Sequence, residues 1–481
     1  MTVYPDTAYP DLALLIDGEW RRTAASLPVL NPSDGSTLGA LPVAGAGEIA
    51  AAIAAAERGF TLWRSTPPAE RARILLRAAA LLRERADAIA HASTLEQGKP
   101  LAQSLPEVLR AAGLFEWDAN EALRLYGRVV PAEPGMRHLV LREPVGIVAA
   151  FSPWNFPVSS PARKIAGALA AGCAIILKPS EETPAGSIQM AQALIDAGLP
   201  AGVLNLLYGE PARISEALIA HPSVRMVHFT GSVPVGKHLA ALAGAHMKPA
   251  VMELGGHAPV IVCASSDAQA LGAGAAVMKT RNAGQICISP TRWIVHDSLY
   301  EAFVAAAAER AASLRMGSGL DPATEIGPLA NARRVDAVDA LVADARACGA
   351  RILAGGERPV GKGCFYPVTV IADIPRDARV LHEEPFGPLV LIQRFSDLDE
   401  AIAMANSLPF GLAAYAFTDS AAEADRLIDG IECGNLSINH YVASLPETPF
   451  GGVKDSGYGR EGAIEGLQAY TVVKNVSFKA R

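Results

Sequence analysis

The chain has 481 residues, half of them hydrophobic and only 19% charged, which excludes a disordered or fibrous protein and calls for two or three cores rather than one. With 42 Lys and Arg against 49 Asp and Glu, a formal charge of −7 and no dense basic run, neither nucleic acid nor an anionic membrane is an expected partner. Six cysteines with no CxxC pair and no regular spacing make neither a disulfide framework nor a zinc site, so no metal is expected and a reducing, cytoplasmic setting fits.

The opening stretch MTVYPDTAYPD has no basic start followed by an apolar core, so no secretory or transit segment is expected. Ile49, Ile53, Ala56, Phe60 and Trp63 recur in alternating steps of four and three, which predicts a helix, and 69–92 continues in helical register. The first 120 residues are therefore expected to pack mostly as helices. From Gly146 the pattern changes: short apolar runs (147–151, 174–177, 203–207, 226–229) alternate with segments of helical length, as in a parallel, doubly wound sheet. A second such series follows Glu253, with strands expected at 293–295, 368–371, 389–392 and 436–438, and implies a second α/β domain. Two strand-like stretches, 136–142 and 470–478, belong to neither series and are expected to be oligomerisation arms. The longest uncharged runs, 144–162 and 401–418, are broken by prolines and by Asn155, Asn406 and Gly411, and are not expected to span a membrane.

Four short stretches carry chemistry. Asn155, in PWNFP, follows the first parallel strand, where open α/β sheets build their sites, although an asparagine can equally stabilise a turn there. Gly231 and Ser232, in FTGS, follow a strand and open a helix, as a phosphate-cradling turn does, with a spacing that departs from GxGxxG. Glu253 precedes two glycines that permit close backbone approach; it reads as a general base or as an ion-paired surface carboxylate. Cys287 sits in RNAGQIC, where a glycine and polar residues interrupt a helical stretch, so it reads as a loop nucleophile or as a buried inert thiol, the reading kept for the other five cysteines.

In this order and at these separations, PWNFP, FTGSxxxG, MELGG, GQxC, EEPFGP and PFGGxKxSGxGRE resemble the aldehyde dehydrogenase superfamily over essentially the whole chain. The resemblance implies an α/β fold with an NAD-binding domain (1–122 and 144–252), a catalytic α/β domain (253–440) and a small β arm (123–143 and 460–481) that pairs subunits into homodimers or homotetramers. It implies Cys287 as nucleophile, Glu253 as the base that activates the deacylating water, Asn155 as an oxyanion donor and Lys164 as a nearby charge. Ser152, Pro153, Trp154, Lys178, Glu181, Gly231, Ser232, Glu384 and Phe386 fall on cofactor-binding positions. Glu181 can accept hydrogen bonds from both hydroxyls of the adenine ribose and would repel a 2′-phosphate, so NAD is expected over NADP.

Arg163 and Arg281 align with arginines that relatives acting on succinic semialdehyde use to grip a distal carboxylate, and two guanidiniums suit that task through charge-assisted hydrogen bonds. The stretches RNAGQICISPTR, MELGGHAPVIV and PETPFGGVKDSGYG are most similar to 2-oxoglutarate-semialdehyde dehydrogenases, with Ser159, Ser160 and Ser444 as pocket residues. The expected substrate is a semialdehyde bearing a distal carboxylate. Position 289 is Ser, so no Cys-x-Cys disulfide with Cys287 is expected. A CoA-acylating enzyme, for which Glu253 would be unneeded, a dehydrogenase of neutral aldehydes and a non-catalytic member of the fold are the alternatives.

Overall fold

The computed structural model describes residues 9–479; the leader-free reading of positions 1–8 and the last two residues of the expected arm lie outside them. Five parallel strands form the heart of the first sheet, in the order Leu204–Leu206, Ala174–Lys178, Ile147–Phe151, Val224–Thr230 and Ala250–Glu253. Every residue of Ile147–Phe151 and Ala174–Lys178 is buried, which explains why these strands read as continuous apolar runs: helices cover both faces of the sheet. Antiparallel strands close both edges, Leu14–Ile16 with Glu19–Arg21 on one side and Gly457–Tyr458 on the other.

The N-terminal region is mostly helical, as expected, in four helices between Ala46 and Ala122, and it adds strands that its pattern did not show. Four strands (Leu14–Ile16, Glu19–Arg21, Ser26–Leu30 and Thr37–Pro42) precede the helix Ala46–Trp63, and at three to six residues they are too short to show a period. The helical register of 69–92 belongs to two helices, Pro68–Glu84 and Ala86–Gln97, separated at Arg85 (φ −98°, ψ 11°). Apolar spacing persists across a break of one residue, so periodicity does not reveal it.

The second sheet has seven strands, ordered Arg351–Ala354, Thr369–Ala372, Leu389–Phe395, Arg292–His296, Pro259–Val262, Ala413–Phe417 and Asn435–Ile438; all neighbours are parallel except the first pair. Ala413–Phe417 went unpredicted because AAYAF has no β-branched residue, yet every position of it is buried. The two arm segments meet as expected: Thr471–Lys479 pairs antiparallel with Met136–Pro144, from Thr471 opposite Pro144 to Lys479 opposite Met136, and Arg128–Val130 adds a third strand. Val129, Val473 and Phe478 of this small sheet are exposed. No helix among the described residues is long and apolar enough to cross a membrane.

Candidate active site

The C-terminal ends of the parallel strands and the loop before Arg292 meet at one cavity of about 510 Å³, lined by Asn155, Glu253 and Cys287 together with Pro153, Trp154, Gly231, Ser232, Glu384, Phe386, Arg163, Arg281 and Ser444. The turn before the cysteine is built from left-handed backbone: Asn282 (φ 46°), Ala283 (φ 49°) and Gly284 (φ 73°). At Gly284 a side chain is excluded twice over, by its φ and because a Cβ would lie 2.1 Å from the Gly387 carbonyl oxygen.

Buried amides hold this turn. Gln97 Nε2 donates to Asn282 Oδ1 (2.5 Å), Asn282 Nδ2 donates to the carbonyl oxygens of Asn155 (2.9 Å) and Gln285 (3.2 Å), and Asn155 Nδ2 donates to the Gln285 carbonyl (3.0 Å). An amide nitrogen carries two hydrogens, so Asn155 keeps one N–H for a ligand. Lys99 supports the Asn155 carbonyl from behind (3.3 Å) while ion-paired to buried Glu107, which also accepts the N–H groups of Val158 and Ser159. Cys287 itself is half-buried, and so are Cys348, Cys364 and Cys433; only Cys173 and Cys263 fit the buried reading made for the rest. Burial, then the carboxylates of Glu384, Glu253 and Glu461, push the Cys287 thiol well above its ordinary value, so at rest it is neutral.

Glu253 ends a parallel strand, is 2% exposed, and neither carboxylate oxygen has a hydrogen-bond partner among the described residues. Burial, reinforced by the charge of Glu461, raises its pKa well above the usual carboxylate range. Glu461 is the opposite case. Burial opposes its ionisation, but Lys164, His228 and Arg163 outweigh that and hold it well below the carboxylate range. Lys164 is fully buried and donates to Thr230 Oγ1 (2.6 Å) and Glu461 Oε1 (2.7 Å); His228 Nε2 lies 2.7 Å from the same oxygen. Two buried carboxylates in one site are thus driven apart, one ionised and one neutral. Glu461 is the last residue of the PFGGxKxSGxGRE motif, which was the available signal for it.

On the other side of the cavity Trp154 and Phe386 pack edge to face (5.5 Å), and Glu384 accepts the Gly256 N–H (3.2 Å). A Cβ on Gly255 would sit 2.3 Å from Glu384 Oε2, so only glycine leaves that carboxylate its place. Burial raises the Glu384 pKa to about 8. Arg334, which sequence reasoning missed, donates to the carbonyls of Pro385 (2.5 Å) and Phe386 (3.2 Å), fixing the loop that presents both. Ser232 caps the 13-residue helix Val233–Ala245 without a side-chain bond to it, so that N-terminus is open to an anion. Ser152, Lys178 and Glu181 lie outside the cavity's lining, at the ends of Ile147–Phe151 and Ala174–Lys178; Lys178 pairs with Glu181 (2.6 Å), and the Ser152 hydroxyl is buried with no partner among the described residues. The open helix end, aromatic pair and unpartnered hydroxyl fit a dinucleotide.

In the same cavity, Arg163 Nη2 donates to Ser444 Oγ (2.7 Å), and Arg163 and Arg281 share the lining with Arg110, which sequence reasoning also missed. Ser289 accepts from buried Lys279 (2.9 Å), whose pKa burial lowers to about 7.

A thiol beside an amide donor and a carboxylate without donors of its own suits addition of sulfur to a carbonyl carbon followed by hydrolysis, and the chain belongs to the aldehyde dehydrogenase family, whose description matches residues 20–476. It is an oxidoreductase acting on aldehydes. Over 470 residues, 97% of this chain and 98% of the relative, it is 49% identical to 4-(hydroxymethyl)benzenesulfonate dehydrogenase TsaD1 of Comamonas testosteroni. It is 40% identical to the succinate-semialdehyde dehydrogenase [NADP(+)] GabD of Escherichia coli K12 over 96% of both chains. The crystal structure of a succinate-semialdehyde dehydrogenase from Burkholderia pseudomallei superposes with a TM-score of 0.96 at 39% identity, covering 99% of this chain and all of that one.

Proposed function

We propose that the chain oxidises, with NAD, a semialdehyde bearing a distal carboxylate, 2-oxoglutarate semialdehyde or succinate semialdehyde, to the dicarboxylate. The observation that carries this reading is the cavity itself, whose lining Cys287 shares with Arg163, Arg281 and Ser444. Cys287 sulfur bonds to the aldehyde carbon as its thiol proton passes to solvent water, while the free Asn155 N–H and the Cys287 backbone N–H stabilise the oxyanion; one such donor is worth ~2.7 to 4 kcal/mol. The chemistry that bound NAD supplies is acceptance of a hydride from that carbon. The thioester left on Cys287 is hydrolysed by a water from which ionised Glu253 takes a proton. Lys164 and His228 keep the neighbouring Glu461 charged, which holds Glu253 basic once it ionises.

Arg163→Ala and Arg281→Ala are expected to raise KM for carboxylate-bearing semialdehydes about 10- to 100-fold, the worth of a charge-assisted hydrogen bond, and to change KM little for a neutral aldehyde of equal length. Steady-state kinetics on the pair of substrates checks this; equal effects on both would point to a dehydrogenase of neutral aldehydes. A second reading, in which the distal anion is a sulfonate, is favoured by the 49% identical relative named for a benzenesulfonate, and kinetics with matched sulfonate and carboxylate aldehydes separates the two.

For the cofactor, the supporting observation is Glu181, whose charge would meet a 2′-phosphate; GabD, by contrast, is named for NADP. Glu181→Ser is expected to shift the ratio of kcat/KM for NAD over NADP toward NADP by about 10-fold or more, because like charges brought together cost kilocalories. An unchanged ratio would remove Glu181 as the discriminator. The proposed domain spans given above are supported by the separate strand series, and assembly into homodimers or homotetramers by the exposed apolar residues of the arm sheet.

A further inference from the structure

We propose that Arg110 is a third arm of the distal-anion site and a specificity-determining residue, one that favours a head group with three oxygens over a planar carboxylate. The proposal rests on the anionic-substrate reading above and favours its second form, in which the distal anion is a sulfonate. Arg110 lies on the helix Leu101–Ala122, Arg163 on Ser159–Ala171 and Arg281 at the C-terminal cap of Ala268–Thr280, so three separate segments deliver three guanidiniums to one cavity. Arg110 makes no hydrogen bond or ion pair with any described residue. Glu107, the carboxylate whose charge acts on it, is already engaged by Lys99 and by the Val158 and Ser159 N–H groups.

Arg281 likewise has no ion-pair partner among the described residues, and Arg163 is bonded only to Ser444 Oγ, with its Nη1 buried and without an acceptor. Desolvation, then the charges of Arg281 and Arg163, lower the Arg110 pKa against the opposing charge of Glu107, which is consistent with three cations lying within electrostatic reach of one another. Arg110 and Arg281 are exposed and line the cavity with Arg163, so all three guanidiniums have donors open to an anion that enters it.

The geometry of the ligand follows from counting acceptors. A carboxylate has two oxygens in one plane, which Arg163, with its Ser444 hydroxyl, and Arg281 can satisfy. A third guanidinium then has only a remaining lone pair on an oxygen already engaged, and only within the carboxylate plane. A sulfonate carries the same single charge on three oxygens splayed around the carbon–sulfur axis, and each guanidinium can take one.

The test is kinetics of the full-length enzyme on three aldehydes of matched length ending in a sulfonate, a carboxylate or an uncharged amide, for wild type, Arg110→Gln, Arg110→Lys and Arg281→Ala. Relative to the amide, Arg110→Gln is expected to lower kcat/KM for the sulfonate about 10- to 100-fold, through KM rather than kcat, and for the carboxylate by no more than about 3-fold. Arg110→Lys, which keeps the charge but loses the planar fork, should recover part of the loss. In wild type, a short alkanesulfonate should also compete with substrate more tightly than the carboxylate of equal length. Equal losses on all three aldehydes, equal losses on both anions, or no loss would each overturn the role of Arg110. If wild type shows no preference for anionic over uncharged aldehydes, the anionic-substrate reading itself falls; if wild type shows that preference and Arg281→Ala loses it while Arg110→Gln does not discriminate, only the role of Arg110 falls.

Discussion

Cys287→Ala is expected to lower kcat for aldehyde oxidation by at least about 10⁴-fold, the scale on which loss of an activated nucleophile acts. No second thiol lines the cavity, since the remaining five cysteines do not, and Ser289, two residues on, is turned to Lys279. The half-buried thiol fills little volume, so the melting temperature should change little, and retention of fold separates lost chemistry from lost structure. Steady-state assay with thermal unfolding of the same preparation checks both. Comparable rates in wild type and variant would remove the covalent route.

Glu253→Gln is the second large effect. The first turnover should survive and later ones slow by about 10² to 10⁴-fold, because the amide fills the same space but accepts no proton from water. Rapid-mixing measurement of the reduced cofactor should then show a burst followed by a slow phase. Since burial and Glu461 raise the Glu253 pKa, the carboxyl is neutral below its raised value and wild-type kcat should climb with pH through that value, above the ordinary carboxylate range; the variant should lack this limb. Stability follows the opposite sign. In the pH interval above about 4.5 the unfolded chain releases the Glu253 proton while the folded chain retains it, so folding weakens as pH rises through that interval. The variant should lose this dependence, which melting temperatures measured across pH can show.

Much of the fold was legible because a strand buried on both faces has to be apolar along its length, and Ile147–Phe151 and Ala174–Lys178 announce themselves that way. Three-residue edge strands and the AAYAF strand carry no such mark, since pairing rather than composition makes them strands. The chemistry divides similarly. Cys287, Glu253 and Asn155 stand in short motifs, and local sequence brings each to the end of a strand or to a left-handed turn. Arg110, His228 and Arg334 do not: each lies in an ordinary helix or strand, and acquires meaning only when packing sets it against Arg281, Glu461 or the Phe386 loop. Arg163 and Arg281 were found through family likeness, because nothing in a single sequence says that residues 118 positions apart will share a cavity.

The central claim is that Cys287 carries the substrate carbon and Glu253 releases it. Its most direct test is intact and peptide mass spectrometry of the Glu253→Gln enzyme after a single turnover with NAD and an anionic aldehyde. One acyl group per chain is expected, on the peptide containing Cys287; an unmodified Cys287 in an enzyme that has reduced its cofactor would overturn the covalent route.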